Sequence, residues 1–232
     1  MRNVLYSGLL LSGLFAAAPA LADEPWEQVS DQKGIVVDRR KVEGSKLKEF
    51  RGRGVVDAPL ASLLSVFNDI DKGTEWMDSC SSSSLVEDRG ERSKIAYNRT
   101  RAPWPVSDRD VVLSNTVTFD EREGVVRIEV TSVDHPNMPP VNGVVRMPSL
   151  RGHWYLWAEP DGKTRVEYQV HANPGGALPN WLVNYVSKEL PFKTIQGLRA
   201  QVKRRSYPEF EKHLRGLPEY KAIEEHGRTA QR

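Results

Sequence analysis

The clearest signal in the chain is a change of hydrophobic period. After Trp76 apolar residues recur at every second position: Val126, Ile128 and Val130 alternate with Arg127, Glu129 and Thr131. Val166, Tyr168 and Val170 alternate in the same way with Arg165, Glu167 and Gln169. Such alternation marks strands with one apolar and one solvated face. It predicts strands at 83–88, 93–101, 110–119, 125–133, 143–147, 152–158 and 164–172, divided by turns at Arg89-Gly90, Glu123-Gly124 and Asp161-Gly162. Upstream, 34–42 and 47–56 also read as strands, joined by Glu43-Gly44-Ser45, and 24–31 reads as a short leading helix. A second helix is expected after Asp57-Ala58-Pro59, with Asp57 as its cap and Leu60, Leu63, Leu64 and Phe67 as its apolar stripe. From Pro179 the helical period returns and runs to about Leu214 through Leu182, Tyr185, Val186, Ile195, Leu198 and Val202. Pro191 lies inside that run and should kink or break it.

Many short strands in series imply a curved antiparallel sheet, and the long terminal helix needs one large apolar surface to cover. The expected fold is therefore α+β, a helix-grip arrangement in which the sheet wraps around a long C-terminal helix with space between them. That interior must be packed or occupied by an apolar ligand. Ala96, Asn98 and Asn115 place small or amide side chains on otherwise apolar faces. They either line a cavity with polar ends or sit in a filled core or on the outer face.

Composition narrows the classes. The 232 residues are 39% hydrophobic and 28% charged, the balance of a globular protein rather than a disordered one. A single cysteine, Cys80, excludes an intramolecular disulfide framework and multi-cysteine metal sites. Cys80 is expected to have no role, since no basic residue close in sequence lowers its pKa. A net charge of +2 gives no ground for a general nucleic-acid binder. Met1-Arg2-Asn3, the apolar stretch 4–18 and Ala20-Leu21-Ala22 have the order of a secretory signal peptide. The expectation is a leader at 1–22, cleavage near Ala22, and one domain at 23–232 in the periplasm or secreted. No cysteine follows the cleavage point, so a lipoprotein anchor is not expected.

The five histidines show no metal-ligand spacing, and no nucleophile elbow or glycine-rich phosphate loop occurs. No catalytic residue, metal or cofactor is expected. An acid–base site in a cavity would draw on His171 or His153 with Glu167 or Asp110. The six tryptophans are core residues by default. Trp104, between Pro103 and Pro105, and Trp181, soon after Pro174-Gly175-Gly176, have a second reading as loop-tip aromatics at a membrane interface. Arg99 and Arg101 would favour an anionic surface there. Lys203-Arg204-Arg205 reads as a solvated helix face.

One stretch carries a family likeness. Pro103-Trp104-Pro105-Val106-Ser107-Asp108-Arg109-Asp110, followed by a valine-rich strand, resembles the signature of the START family, the steroidogenic-acute-regulatory-related lipid-transfer domains. Glu75-Trp76, His135-Pro136, Gly143-Val144-Val145-Arg146 and the run from Asn173 to Asn184 resemble further family motifs in the same order. The resemblance covers about residues 24–215. It implies a tunnel for one lipid or sterol, gated by the 102–108 loop and the C-terminal helix. The residues it assigns to lipid binding are Met77, Ala96, Asn98, Val111, Leu113, Asn115, Ile128, Tyr168, Leu182, Tyr185 and Val186. Pro103, Trp104, Pro105 and Trp181 fall in the gate.

The departures concern ligand class. Phosphatidylcholine-carrying members place aromatics at the positions of Asn98 and Val111 and an arginine at that of Gly73. Steroid-carrying members place an arginine at Asn115 and an acid near Ala96. This chain lacks all of them, so its lumen is expected to be neutral and to suit a sterol-like, hopanoid-like or weakly polar lipid. The implied function is transfer of that lipid between membranes by a monomer in transient contact with their surfaces. The alternatives are a cavity enzyme of the related cyclase or hydrolase type, or a lipid sensor.

Overall fold

The computed structural model describes residues 25–176 and 180–229, and of 180–188 only the helical backbone. The chain runs β1 (Glu27–Gln32), β2 (Ile35–Lys41), β3 (Lys48–Val56), α1 (Leu60–Asn68), a 3₁₀ turn (Ile70–Glu75), β4 (Cys80–Asp88), β5 (Ser93–Thr100), β6 (Arg109–Asp120) and β7 (Val125–Ser132). Then follow β8 (Val145–Arg146), β9 (Ser149–Ala158), β10 (Thr164–Asn173), α2 (Asn180–Arg204), α3 (Pro208–Gly216) and α4 (Pro218–Thr229). The strands form one sheet in the order β1-β2-β3-β10-β9-β7-β6-β5-β4, antiparallel throughout this path. The expected helix-grip fold is what forms, since α2 packs its fully buried Ile195 and Leu198 into the concave face.

Register turns the alternation into a surface. Val37 stands opposite Gly52, Gly52 opposite Tyr168, Tyr168 opposite Trp154, Trp154 opposite Ile128 and Ile128 opposite Val117. This apolar band crosses six strands. Gly52 is the gap in it where α2 docks: a Cβ there would lie 2.9 Å from Ile195 Cδ1 and 3.2 Å from Pro191 Cβ. A Cβ at Gly197 would collide with the Trp76 carbonyl, so α2 also rests directly on the backbone after the 3₁₀ turn. Arg199 locks the helix from the side, donating to the carbonyls of Lys33, Val55 and Gly34 at 2.7, 2.9 and 3.1 Å.

Four sequence expectations need correction. Of the expected helix at 24–31, residue 24 lies outside the described residues and the rest is not helical: Glu27–Gln32 is an edge strand paired to β2, with a register shift between Gln28 and Ser30 that erases the period of two. Asp57 does not cap α1. Pro59 is the N-cap residue, without a side-chain cap, and Thr164 Oγ1 instead holds the Ala58 carbonyl at 2.8 Å. Pro191 neither breaks nor ends its helix, because it lies buried against β3 in the docked face of α2. The break falls at 205–207, before Pro208, since a residue preceding proline is driven out of the helical region. The single terminal helix is therefore three.

The fourth correction concerns 143–147, of which only Val145–Arg146 pairs, and in parallel, with Arg109 and Asp110. The rest of the β7–β8 connection covers the outer face of β5 and β6, where Ile95, Tyr97 and Val112 form a small second core with Val86, Val133 and Met138. Arg146 fastens it, meeting the buried Asp110 carboxylate at 2.8 and 3.0 Å and the Met138 carbonyl at 3.1 Å. Among the described residues no helix is long and apolar enough to cross a membrane.

Candidate binding cavity

Between the concave sheet and the helices lies a cavity of about 940 Å³. That is the volume of some thirty liquid waters, at about 30 Å³ each, and the upper end of the range for small-molecule sites. Its walls are the inward positions of the central strands: Ala96, Val111, Leu113, Val117, Ile128, Val130 and Val170, with Leu64 and Phe67 from α1. An aromatic cluster closes one side. Trp154 stacks on Tyr168 with ring centroids 4.3 Å apart, and Phe67 meets Trp154 and Trp76 edge-on at 5.0 and 5.4 Å. Burial pushes the Tyr168 hydroxyl up to about 12, so it stays neutral.

Contrary to the sequence expectation, the lining is not neutral throughout: charged side chains, among them Arg39, Lys48, Asp69, Lys94, Arg101 and Arg109, border the cavity beside the uncharged Ser83, Asn98 and Asn115. Ser83 Oγ lies 2.6 Å from the Ile70 carbonyl and 3.0 Å from Asn98 Oδ1, and its one proton must serve both acceptors. Asn115 Nδ2 reaches the Leu113 and Lys94 carbonyls at 3.3 and 3.4 Å. No side chain fits at Gly73 unless Met77 and Ser83 move, because a Cβ there would overlap both. Cys80 borders the cavity as a neutral thiol, pushed up to about 11 by burial, against a smaller lowering from a backbone hydrogen bond with Ser82.

Strand register orders the cavity from end to end. At one end lies the 101–108 loop. Asp108 closes it, accepting from the Ala102 N–H at 3.0 Å and from Arg99 Nε at 2.8 Å. Burial alone would raise the Asp108 pKa, but the Ala102 N–H and the Arg99 guanidinium outweigh it and hold the carboxyl below its ordinary value. The buried Arg109 donates to the Ser107 carbonyl within the loop, and to those of Pro174 and Gly175, at 3.4 Å each, in the turn leading to α2. One guanidinium thus joins the two segments expected to form the gate. Gly175 and Gly176 both take positive φ, 68° and 64°, which bends the chain towards α2.

The expected lining residues Met77, Ala96, Asn98, Val111, Leu113, Asn115, Ile128 and Tyr168 all border the cavity, as does Pro103. Trp104 projects away from it, 92% exposed, and Pro105 is exposed beside it. The side chains of Trp181, Leu182, Tyr185 and Val186 lie outside the described residues. The sequence reading missed Trp154, Phe67 and Phe119, and also Phe210, Leu214 and Leu217, which border the far end. The acid–base pairs do not assemble. His153 stacks on Tyr155 on the outer face, His171 Nε2 meets Ser45 Oγ at 3.1 Å, and Asp110 is held by Arg146. Among the described residues no group of three or more His, Cys, Asp or Glu could hold a metal ion.

Comparison with known proteins agrees with the fold. The START domain family model matches residues 14–206. An uncharacterised protein of Pseudomonas aeruginosa is 33% identical over 205 residues, 88% of this chain and all of its own. The phosphatidylcholine transfer protein of Mus musculus is 30% identical over 176 residues, 73% of this chain and 80% of its own. A crystal structure of the STAR-related lipid transfer protein of Xanthomonas axonopodis (fragment 25–204) superposes with a TM-score of 0.69. It is 36% identical and covers 77% of this chain and 98% of that one. The chain belongs to the START domain family.

Proposed function

We propose that this protein binds one weakly polar, sterol-like lipid in the cavity and carries it between membrane surfaces. The carrying observation is the cavity itself: about 940 Å³, walled on the central strands by apolar side chains with Ser83, Asn98 and Asn115 among them, while charged residues such as Arg39, Lys48, Asp69 and Arg109 also border it. Hydrocarbon in water costs about 0.8 kcal/mol per CH₂, so a sixteen-carbon chain costs about 13 kcal/mol to hydrate. An enclosed apolar lumen removes that cost during transit. The names of the mouse and Xanthomonas relatives favour a lipid as the ligand class. Asn98 and Val111 leave no aromatic box for a choline cation, which favours a hydroxyl or similar small head group over phosphatidylcholine.

In this reading the 101–108 loop is the gate, Trp104 rests in the membrane interface, and Arg101 attracts an anionic surface. Export through the 1–22 leader belongs to the same proposal. Recovery of the protein with Asp23 as its first residue is the outcome it requires.

The experiment is lipid selectivity in Asn98→Ala and Asn115→Leu. An unpaired buried polar group costs about 1–3 kcal/mol. The variants should therefore lose about tenfold or more of the preference for a hydroxylated sterol over its deoxy analogue. Full affinity and unchanged preference in both folded variants contradict the assignment.

A further inference from the structure

The family match ends at residue 206, and the chain then folds into two further helices, the first of which borders the cavity. Phe210, His213 and Leu214 of α3, and Leu217 just after it, all border the cavity. Their spacing of i, i+3, i+4 and i+7 places them on one face of the helix and its end. The His213–Glu91 ion pair sets that face beside the β4–β5 turn, whose Arg92 carbonyl accepts from the Val117 N–H at 2.8 Å, so it lies towards the end of β6 opposite Arg109 and the 101–108 loop.

The pair is fastened there and does not merely drape over the opening. Leu214 is buried, and Tyr220 and Ile223 of α4 are fully buried in the main core. Arg92, in the β4–β5 turn, pairs with Glu219, and Glu91 beside it meets His213 Nε2 at 2.9 Å. Tyr207, just before α3, donates to Asp69 at 2.8 Å. Gly124 and Gly227 admit no side chain, because His226 fills the space over the first and the Ala158 backbone the space over the second.

A lipid entering past the 101–108 loop would meet this wall with its far end. We propose that α3 is the end wall of the cavity, and that Phe210 and Leu217 set the length of hydrocarbon it accepts. The inference rests on the lipid-binding reading above. Leu214 anchors the wall, whereas Phe210 and Leu217 are only partly buried, so their size can change without dismantling α3.

The test is native mass spectrometry of the full chain mixed with a graded series of saturated straight-chain alcohols. In the unaltered protein each added methylene should strengthen binding about fourfold until the chain reaches the wall, and no further. Phe210→Ala and Leu217→Ala should move that limit to longer chains, and Phe210→Trp to shorter ones. A merely structural role would weaken all lengths alike and leave the limit in place. The same limiting length in all folded variants overturns the inference and leaves lipid binding intact. Failure of the unaltered protein to take up any alcohol also overturns it. Uptake of vesicle lipid in the same samples then decides whether the lipid-binding reading falls with it.

Discussion

Trp104 and Glu75 show how differently two exposed side chains can matter. Trp104 is 92% exposed and touches neither core nor cavity. Replacing it with alanine should leave stability within about 0.5 kcal/mol while slowing lipid transfer between anionic vesicles several-fold. Equal transfer rates would remove the gate from that loop. Glu75 binds Arg205 at 2.7 and 2.9 Å and Gln201 at 2.9 Å, and Arg205 above all, then Gln201, hold its carboxyl down at about 2. A carboxyl with a lowered folded pKa stabilises above its unfolded value and loses that contribution as pH falls. Its contribution should be complete above about 4.5 and disappear towards about 2. Denaturant titrations of Glu75→Gln should therefore show a deficit at neutral pH that narrows on acidification; a widening deficit would contradict the pairing. Most lining residues were legible because their strands alternate cleanly. Trp154 was not, since His153, Tyr155 and Trp157 put rings on the opposite face too, with Arg165 3.9 Å over the Trp157 ring, and hydrophobicity then carries no parity.

Among the elements, α2 shows where local rules give way. Pro191 and Gly197 both weaken an isolated helix, yet α2 runs through them, because each presents a flat surface where backbone or sheet comes close. In an exposed helix Gly→Ala stabilises by roughly 0.5–1 kcal/mol. Gly197→Ala should do the reverse, destabilising by about 1–3 kcal/mol as the new Cβ pushes α2 off Trp76. A calorimetric melting temperature at or above that of the unaltered protein would show that the helix is not seated as described. The turn before Pro208 was visible in the sequence only as a proline in a helical run, indistinguishable there from Pro191. What separates the two is tertiary: Pro191 is buried against Gly52, whereas Pro208 is exposed. The edge strand β1 was hidden for a related reason, its pairing to β2 and its bulge outweighing a locally helical pattern.

At the scale of the molecule, alternation and element order were enough to give a sheet closed over a helix. They could not distinguish a packed interior from a hollow one, because the same apolar faces serve both. The START-like motifs pointed to the hollow one, and the described residues line a cavity of about 940 Å³. They were silent about the far end, where α3 and α4 lie beyond the matched family segment. That the cavity holds one lipid is the claim on which the gate, the selectivity and the end wall all depend. Native mass spectrometry of the protein after incubation with vesicles of mixed phospholipid and sterol addresses it. The account predicts one lipid per chain, lost in Ala96→Trp, whose indole would occupy mid-lumen from a residue that is 3% exposed and borders the cavity. A lipid-free spectrum from the unaltered protein, or equal retention by folded Ala96→Trp, would contradict it.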